Sequence, residues 1–184
     1  MTVVLIGSGN TANVLGKIII RANHKVAQVC GRNKAAVARL AKELKTNAET
    51  NFKKIFTGAD IYIIAVADDA VESVSLQLNL KNKVVVHTAG AVSKNILENI
   101  STAFGVIYPL QSLRKELDYL PEMPLLVDGN NKKVTGKIID FAKTISKNVA
   151  QANDETRLKL HVAAVIISNF TNHLFTLAKD FCAN

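Results

Sequence analysis

The sequence predicts an α/β protein: a doubly wound, mostly parallel sheet followed by one long C-terminal helix that begins an all-helical domain. Short apolar runs alternate with apolar patterns of period 3.6 along most of the chain, the order that β-α-β units produce. The first run, Val3-Val4-Leu5-Ile6, leads straight into Gly7-Ser8-Gly9-Asn10-Thr11-Ala12, a G-x-G-x-x-A turn between a strand and a helix. From Asp154 onward the pattern is helical alone, which divides the chain into residues 1–153 and residues 154–184.

The first strand is expected from Val3 to Ile6, the first helix from Thr11 to Ala22, and the second strand from Lys25 to Cys30. Asn33 is placed to cap a second helix, whose apolar stripe is Ala36, Val37, Leu40, Ala41 and Leu44. A short third strand follows near Thr46 to Ala48, and a short helix from Asn51 to Phe56. Ile61-Tyr62-Ile63-Ile64-Ala65-Val66 is apolar throughout, as befits a central strand buried on both faces. Lys83 to His87, Gly105 to Tyr108 and Leu125 to Val127 supply the next three strands. Pro109, Pro121 and Pro124 fall between the last two of these, which predicts an irregular, ligand-facing connection. Lys132 to Ile145 is an amphipathic helix, a short strand follows near Asn148 to Gln151, and Asp154 is expected to cap the long final helix.

With 184 residues, 48% hydrophobic and 21% charged, the composition is that of a globular chain with material for one full core. The first seven residues are too short for a signal peptide. The most apolar window, Val162 to Ala178, is interrupted by Ser168, Asn169, Thr171, Asn172 and His173, which argues against a membrane span. Cys30 and Cys182 have no metal-ligand spacing, and no metal is expected; they read as cytosolic thiols of a cytoplasmic protein. The formal charge of +8 comes from dispersed lysines without an arginine-rich run or interleaved aromatics, so no nucleic-acid partner is expected. Part of that excess can steer an anionic cofactor.

The glycine turn has a physical reading. Gly7 permits the bend out of the strand, Gly9 lets a pyrophosphate approach the backbone, and Ala12 lets the following helix pack closely on the strand. Ser8, Asn10 and Thr11 share the turn, and the helix N-terminus offers free N–H groups and a positive dipole end. A bare strand-to-helix turn is the alternative. The second strand ends Val29-Cys30-Gly31-Arg32-Asn33, with no acid for a ribose 2′-hydroxyl but an arginine where a 2′-phosphate would lie, which favours NADP over NAD. A surface arginine in a capping loop would look the same. Ala65-Val66-Ala67 is expected beside the cofactor, with Asp68 and Asp69 read as helix caps before acid–base groups.

Two further loops, His87-Thr88-Ala89-Gly90 and Tyr108-Pro109-Leu110-Gln111-Ser112, reach the same sheet edge, where nicotinamide and substrate should meet. His87 is a candidate proton donor, or else a buried histidine bonded to a neighbouring carbonyl. On the final helix His161, Val165, Ser168, Asn172 and Thr176 fall on one narrow face with Asn169 adjacent, against a broad apolar arc. His161, with Asn169, is the better candidate for the proton donor; the competing reading is a stripe that faces water. From Asp154 to Cys182 this helix would run about 43 Å. Its arc is wider than one contact needs, so a homodimer is expected in which Ile166, Phe170, Leu174 and Phe181 are covered across the subunit boundary. The alternative is a monomer whose helix folds back along the sheet.

In combination Gly7 to Ala12, Ala65 to Ala70, His87 to Ala91, Tyr108 to Ser112 and His161 to Asn169 resemble the two-domain superfamily of pyrroline-5-carboxylate reductase and 6-phosphogluconate dehydrogenase. Within it, the chain is most similar to a bacterial branch whose helical domain has no assigned function. The resemblance implies a Rossmann domain that binds NADP and a helical domain that commonly intertwines in dimers. It also implies hydride transfer to or from a small carbonyl or imine, with the loops at His87 and Tyr108 lining the nicotinamide pocket. The Lys-x-x-x-Asn pair of the hydroxyacid branch is missing, because Lys159 is followed by Ala163, so no substrate carries over. The family's helical domain continues past position 184, which makes a truncated chain or a first domain with its connecting helix the expectation. A non-catalytic NADP-binding sensor or scaffold is the alternative function.

Overall fold

The computed structural model describes residues 1–116 and 119–183. One eight-stranded sheet organises it, in the order β3-β2-β1-β4-β5-β6-β7-β8. The strands are β1 (Thr2–Ile6), β2 (Lys25–Cys30), β3 (Asn47–Glu49), β4 (Ile61–Ile64), β5 (Lys81–His87), β6 (Ser101–Pro109), β7 (Leu125–Gly129) and β8 (Val149–Gln151). The first six are parallel; β7 runs antiparallel to β6, and β8 parallel to β7. Because β1 returns through a helix to β2 on one side while β4 lies on the other, the chain reverses its winding between β1 and β4. That gap at the carboxyl edge is where open α/β sheets bind ligands.

Alternation of side chains builds a core on each face. Val3, Leu5, Ile61, Ile63 and Val86 pack beneath α1 (Asn10–Arg21), α2 (Lys34–Glu43) and α4 (Lys132–Ile145). Val4, Ile6, Tyr62, Ile64 and Val85 face the opposite layer with Phe52, Val74 and Leu97, where the short α3 (Val71–Ser75) lies. Asn33 caps α2 as expected, accepting from the Ala36 amide, and β2 and α4 have the expected bounds. Only a 3-10 turn, Phe52–Lys54, forms from the Asn51–Phe56 segment, and Pro109 closes β6 instead of lying in the connection after it.

The final helix, α5 (Asp154–Ala183), is 30 residues long. Asn153, not Asp154, caps it by accepting from the Thr156 amide. Asp154 is instead the first helical residue and points to Ser93 and Arg157. A π turn, Ile166–Phe170, interrupts the α geometry. By length and composition alone α5 could cross a membrane, but its first turns are docked: Arg157 is 1% exposed, whereas ten large apolar side chains between Leu158 and Phe181 are 38–83% exposed.

Candidate active site

Two cavities open side by side along the carboxyl edge. The first, about 450 Å³, is built from three strand ends: Gly7 to Thr11 after β1, Gly31 to Asn33 after β2, and Ala65 to Asp68 after β4. Gly7 has φ +124°, and a Cβ there would stand 2.1 Å from the Ala65 carbonyl oxygen, so the turn depends on glycine. Gly9 is different in kind. Nothing lies within 4 Å of where its Cβ would be, so the space above it is open to a phosphate. Gly9 is also the N-cap of α1 and supplies no side-chain hydrogen bond, leaving the first amides of this 12-residue helix for an anion. Arg32 brings a guanidinium to the same cavity, and no acid stands at the end of β2. Open space over Gly9, the free amides of a helix end and a guanidinium in the same cavity together fit a nicotinamide dinucleotide.

The expected cofactor residues divide accordingly. Gly7, Ser8, Gly9, Asn10, Thr11, Arg32, Asn33, Ala65, Val66 and Ala67 line this cavity. Ala12 does not; it is fully buried in the core, where its small size serves helix packing. Asp68 opens a 3-10 turn, Asp68–Ala70, without making the side-chain cap expected of it, and it borders both cavities.

The second cavity, about 730 Å³, shares Thr11, Val66 and Asp68 with the first. Its far walls are Tyr108 to Leu113 after β6 and His161 to Asn169 of α5, with Thr88 and Gly90 between them. Here Tyr108 Oη lies 2.8 Å from His161 Nδ1, and the rings meet edge to face with centroids 5.6 Å apart. Burial raises the Tyr108 pKa above its ordinary value, Asp68 adds to that, and the Arg157 charge opposes it. Gly90 makes room for the pair: a Cβ there would stand 2.5 Å from His161 Nδ1 and 2.9 Å from Tyr108 Cζ. Opposite, Ser112 and Ser168 face each other with their hydroxyls 3.4 Å apart.

Arg157 holds this wall in place. Its Nε donates to the Gly90 carbonyl at 3.2 Å, one terminal nitrogen to the Val92 carbonyl, and the other to Asp154 at 2.9 Å. Burial alone would favour the neutral acid at Asp154, but hydrogen bonds from Ser93 and Arg157 hold its pKa below the usual value. Nearby, Lys94 pairs with Asp128 at 2.6 Å.

Of the residues expected at the chemistry, His161 and Asn169 line the second cavity, together with Ser168 and Thr88. His87 and Ala89 line neither cavity. The His87 side chain is fully buried beneath its loop, and its Nδ1 accepts from the Ala89 amide at 3.1 Å. Burial, reinforced by the Arg157 charge, lowers its pKa to about 4. Asn172 and Thr176, placed on the polar stripe by an even 3.6-residue period, do not line the cavity either. Tyr108 enters this wall with a side-chain contact that the loop reading does not single out; a phenol just before Pro109 at a strand's carboxyl end is its one signal in the sequence. Among the described residues, no group of three or more His, Cys, Asp or Glu side chains is placed to hold a metal ion.

Comparison with known proteins agrees with this geometry. Residues 2–90 match the family described as NADP oxidoreductase, coenzyme F420-dependent, and residues 123–184 match a domain of unknown function. A search among curated proteins finds no match. Among solved structures, a protein from Bacteroides fragilis assigned as an NADP oxidoreductase is 30% identical with a TM-score of 0.89, over 98% of this chain and 71% of that one. A pyrroline-5-carboxylate reductase from Streptococcus pyogenes shares the fold at 17% identity and TM-score 0.66, over 84% of this chain and 59% of its own. A reductive aminase from Aspergillus terreus, in complex with NADPH and ethyl-5-oxohexanoate, does so at 10% identity and TM-score 0.68, over 95% and 62%. With the dinucleotide cavity and the whole-chain likeness to the Bacteroides protein in hand, the chain belongs to the family of Rossmann-fold NADP oxidoreductases.

Proposed function

We propose that the protein transfers a hydride between NADP(H) and a small carbonyl or imine held in the second cavity, with His161 as the proton donor or polarising group and Asn169 beside it. The observation that carries this reading is the Tyr108–His161 hydrogen bond in the wall of a cavity that adjoins the cofactor cleft. NADPH supplies the hydride when bound. The chain must then stabilise negative charge developing on the substrate oxygen or nitrogen. With the phenol donating to Nδ1, a neutral His161 carries its hydrogen on Nε2, which has no other partner among the described residues and is left to donate to that atom. Arg32 supports NADP over NAD, since a guanidinium grips a phosphate in two-pronged geometry. We further propose that the exposed apolar side chains of α5 form a homodimer contact.

Two measurements test the reading. NADPH should bind more tightly than NADH, and Arg32→Glu should abolish or reverse that preference, a loss of about 1–3 kcal/mol for a charge-assisted hydrogen bond. Equal affinities in the wild-type protein would remove Arg32 from the cofactor site. His161→Ala should lower turnover of carbonyl or imine substrates by roughly a hundredfold with NADPH binding intact. Tight NADPH binding with no turnover of any such compound would favour a sensor or scaffold.

A further inference from the structure

The charges around the second cavity are one-sided. Asp68 is the single ionisable carboxylate in its lining, and no lysine or arginine lines it among the described residues, in a chain of formal charge +8. Three of the nearby cations are committed elsewhere, while Arg114, which follows the lining residue Leu113, is exposed and does not line the cavity. Arg157 is buried and spends its guanidinium on Gly90, Val92 and Asp154; Lys94 is paired with Asp128; Arg32 faces the dinucleotide cavity. The Asp68 carboxylate makes no hydrogen bond or ion pair among the described residues, while its backbone carbonyl accepts from the Val71 amide, and its charge helps raise the Tyr108 pKa. The remaining lining is hydroxyl, amide and aliphatic: Thr88, Gln111 and Ser168 against Leu110, Val165 and Ile167.

We propose that this cavity selects a carbonyl or imine substrate that carries a cationic nitrogen and no anionic group, with Asp68 as the residue that pairs with the cation. The proposal rests on the hydride-transfer reading above and adds the substrate's charge. For an iminium the step balances without a proton donor. Hydride from NADPH forms the new C–H bond, the C=N π pair returns to nitrogen, and NADP⁺ and a neutral amine result. For a carbonyl with a neighbouring ammonium, hydride goes to the carbonyl carbon and the oxygen takes its proton from the Tyr108–His161 pair. A carboxylate or phosphate substrate would meet Asp68 and the cofactor's own phosphates with no compensating cation, a penalty of roughly tenfold or more in affinity for an exposed carboxylate a few ångströms away.

Three ketones of similar size and different charge decide it: aminoacetone, hydroxyacetone and pyruvate, assayed with NADPH. Aminoacetone should exceed pyruvate in kcat/KM by roughly a hundredfold, and Asp68→Asn should bring its ratio to hydroxyacetone to within about threefold. A binding measurement runs beside this, using quenching of bound NADPH fluorescence by 1-amino-2-propanol and by lactate. The amine should bind at least tenfold more tightly, and Asp68→Asn should remove the difference. Failure of all three ketones to turn over would overturn the hydride-transfer reading, while the two binding constants still judge the charge selection. Equal or tighter binding of lactate, or no binding of either compound, overturns the charge selection. So does a preference for pyruvate that Arg114→Ala removes, which would give that role to the exposed arginine following Leu113.

Discussion

His87 lies on the same side of β5 as Val85, so its imidazole enters the core layer instead of the cavity above. The alternation of residues along the strand contained that information, but a histidine at a carboxyl edge invites a catalytic reading in preference to a core one. Its pKa of about 4 in the fold lies below the 6.5 of an exposed imidazole, so between those values the unfolded chain binds the extra proton. Stability is expected to fall as pH drops through this window, by on the order of 3 kcal/mol from His87. His24, lowered by partial burial and by the N-terminal amine, acts in the same direction, whereas the depressed carboxyls of Glu49 and Asp154 act at lower pH. His87→Asn keeps an acceptor for the Ala89 amide and removes the titration. Urea midpoints at pH 7 and pH 4.5 should therefore lie closer together in the variant, and an unchanged difference would assign the acid sensitivity elsewhere.

Elements were legible where a local rule set them. The Gly7–Ala12 turn, the Asn33 cap and the apolar stripe of α4 each need only neighbours within one or two turns, and each stands where the sequence placed it. The π turn of α5 was not legible, because an inserted residue leaves no mark in the sequence. It shows only as a rotation of all that follows, by about 100° for one extra residue. The cavity wall accordingly passes through Ile167, Ser168 and Asn169, and Asn172 is lost from it. The contact of Tyr108 with His161 spans 53 positions and joins a strand end to a helix, so no local pattern announces it. Gly90 is the element-level test of that contact. Gly90→Ala should displace the imidazole and phenol, at about 1–3 kcal/mol for overpacking. Turnover should fall as in Tyr108→Phe while NADPH affinity holds. A Gly90→Ala protein with normal turnover would show that the pair is not needed in this geometry.

At the scale of the molecule, the winding reversal between β1 and β4 puts both cavities on one edge; the sequence pattern implied a doubly wound sheet, whereas the order of its strands is read from the fold. The fate of α5 is a different kind of question. Arg157 fastens its first turns to the sheet, and beyond the π turn Leu174, Phe175, Leu177 and Phe181 remain 51–83% exposed. Covering them is favourable at roughly 25 cal/mol per Å², and a second copy of the chain would do so symmetrically. Sedimentation at micromolar concentration should therefore report a dimer. A monomer whose α5 resists proteolysis would instead mean that the helix finds cover within its own chain.

The three residues common to both cavities set a kinetic consequence. Thr11, Val66 and Asp68 line both the second cavity, the chamber proposed for substrate, and the dinucleotide cleft. Until the cleft is filled, the chamber is open on that side and a substrate has fewer surfaces to bind against. On the proposed reading the dinucleotide is therefore expected to bind before the substrate, an order that product-inhibition patterns would check.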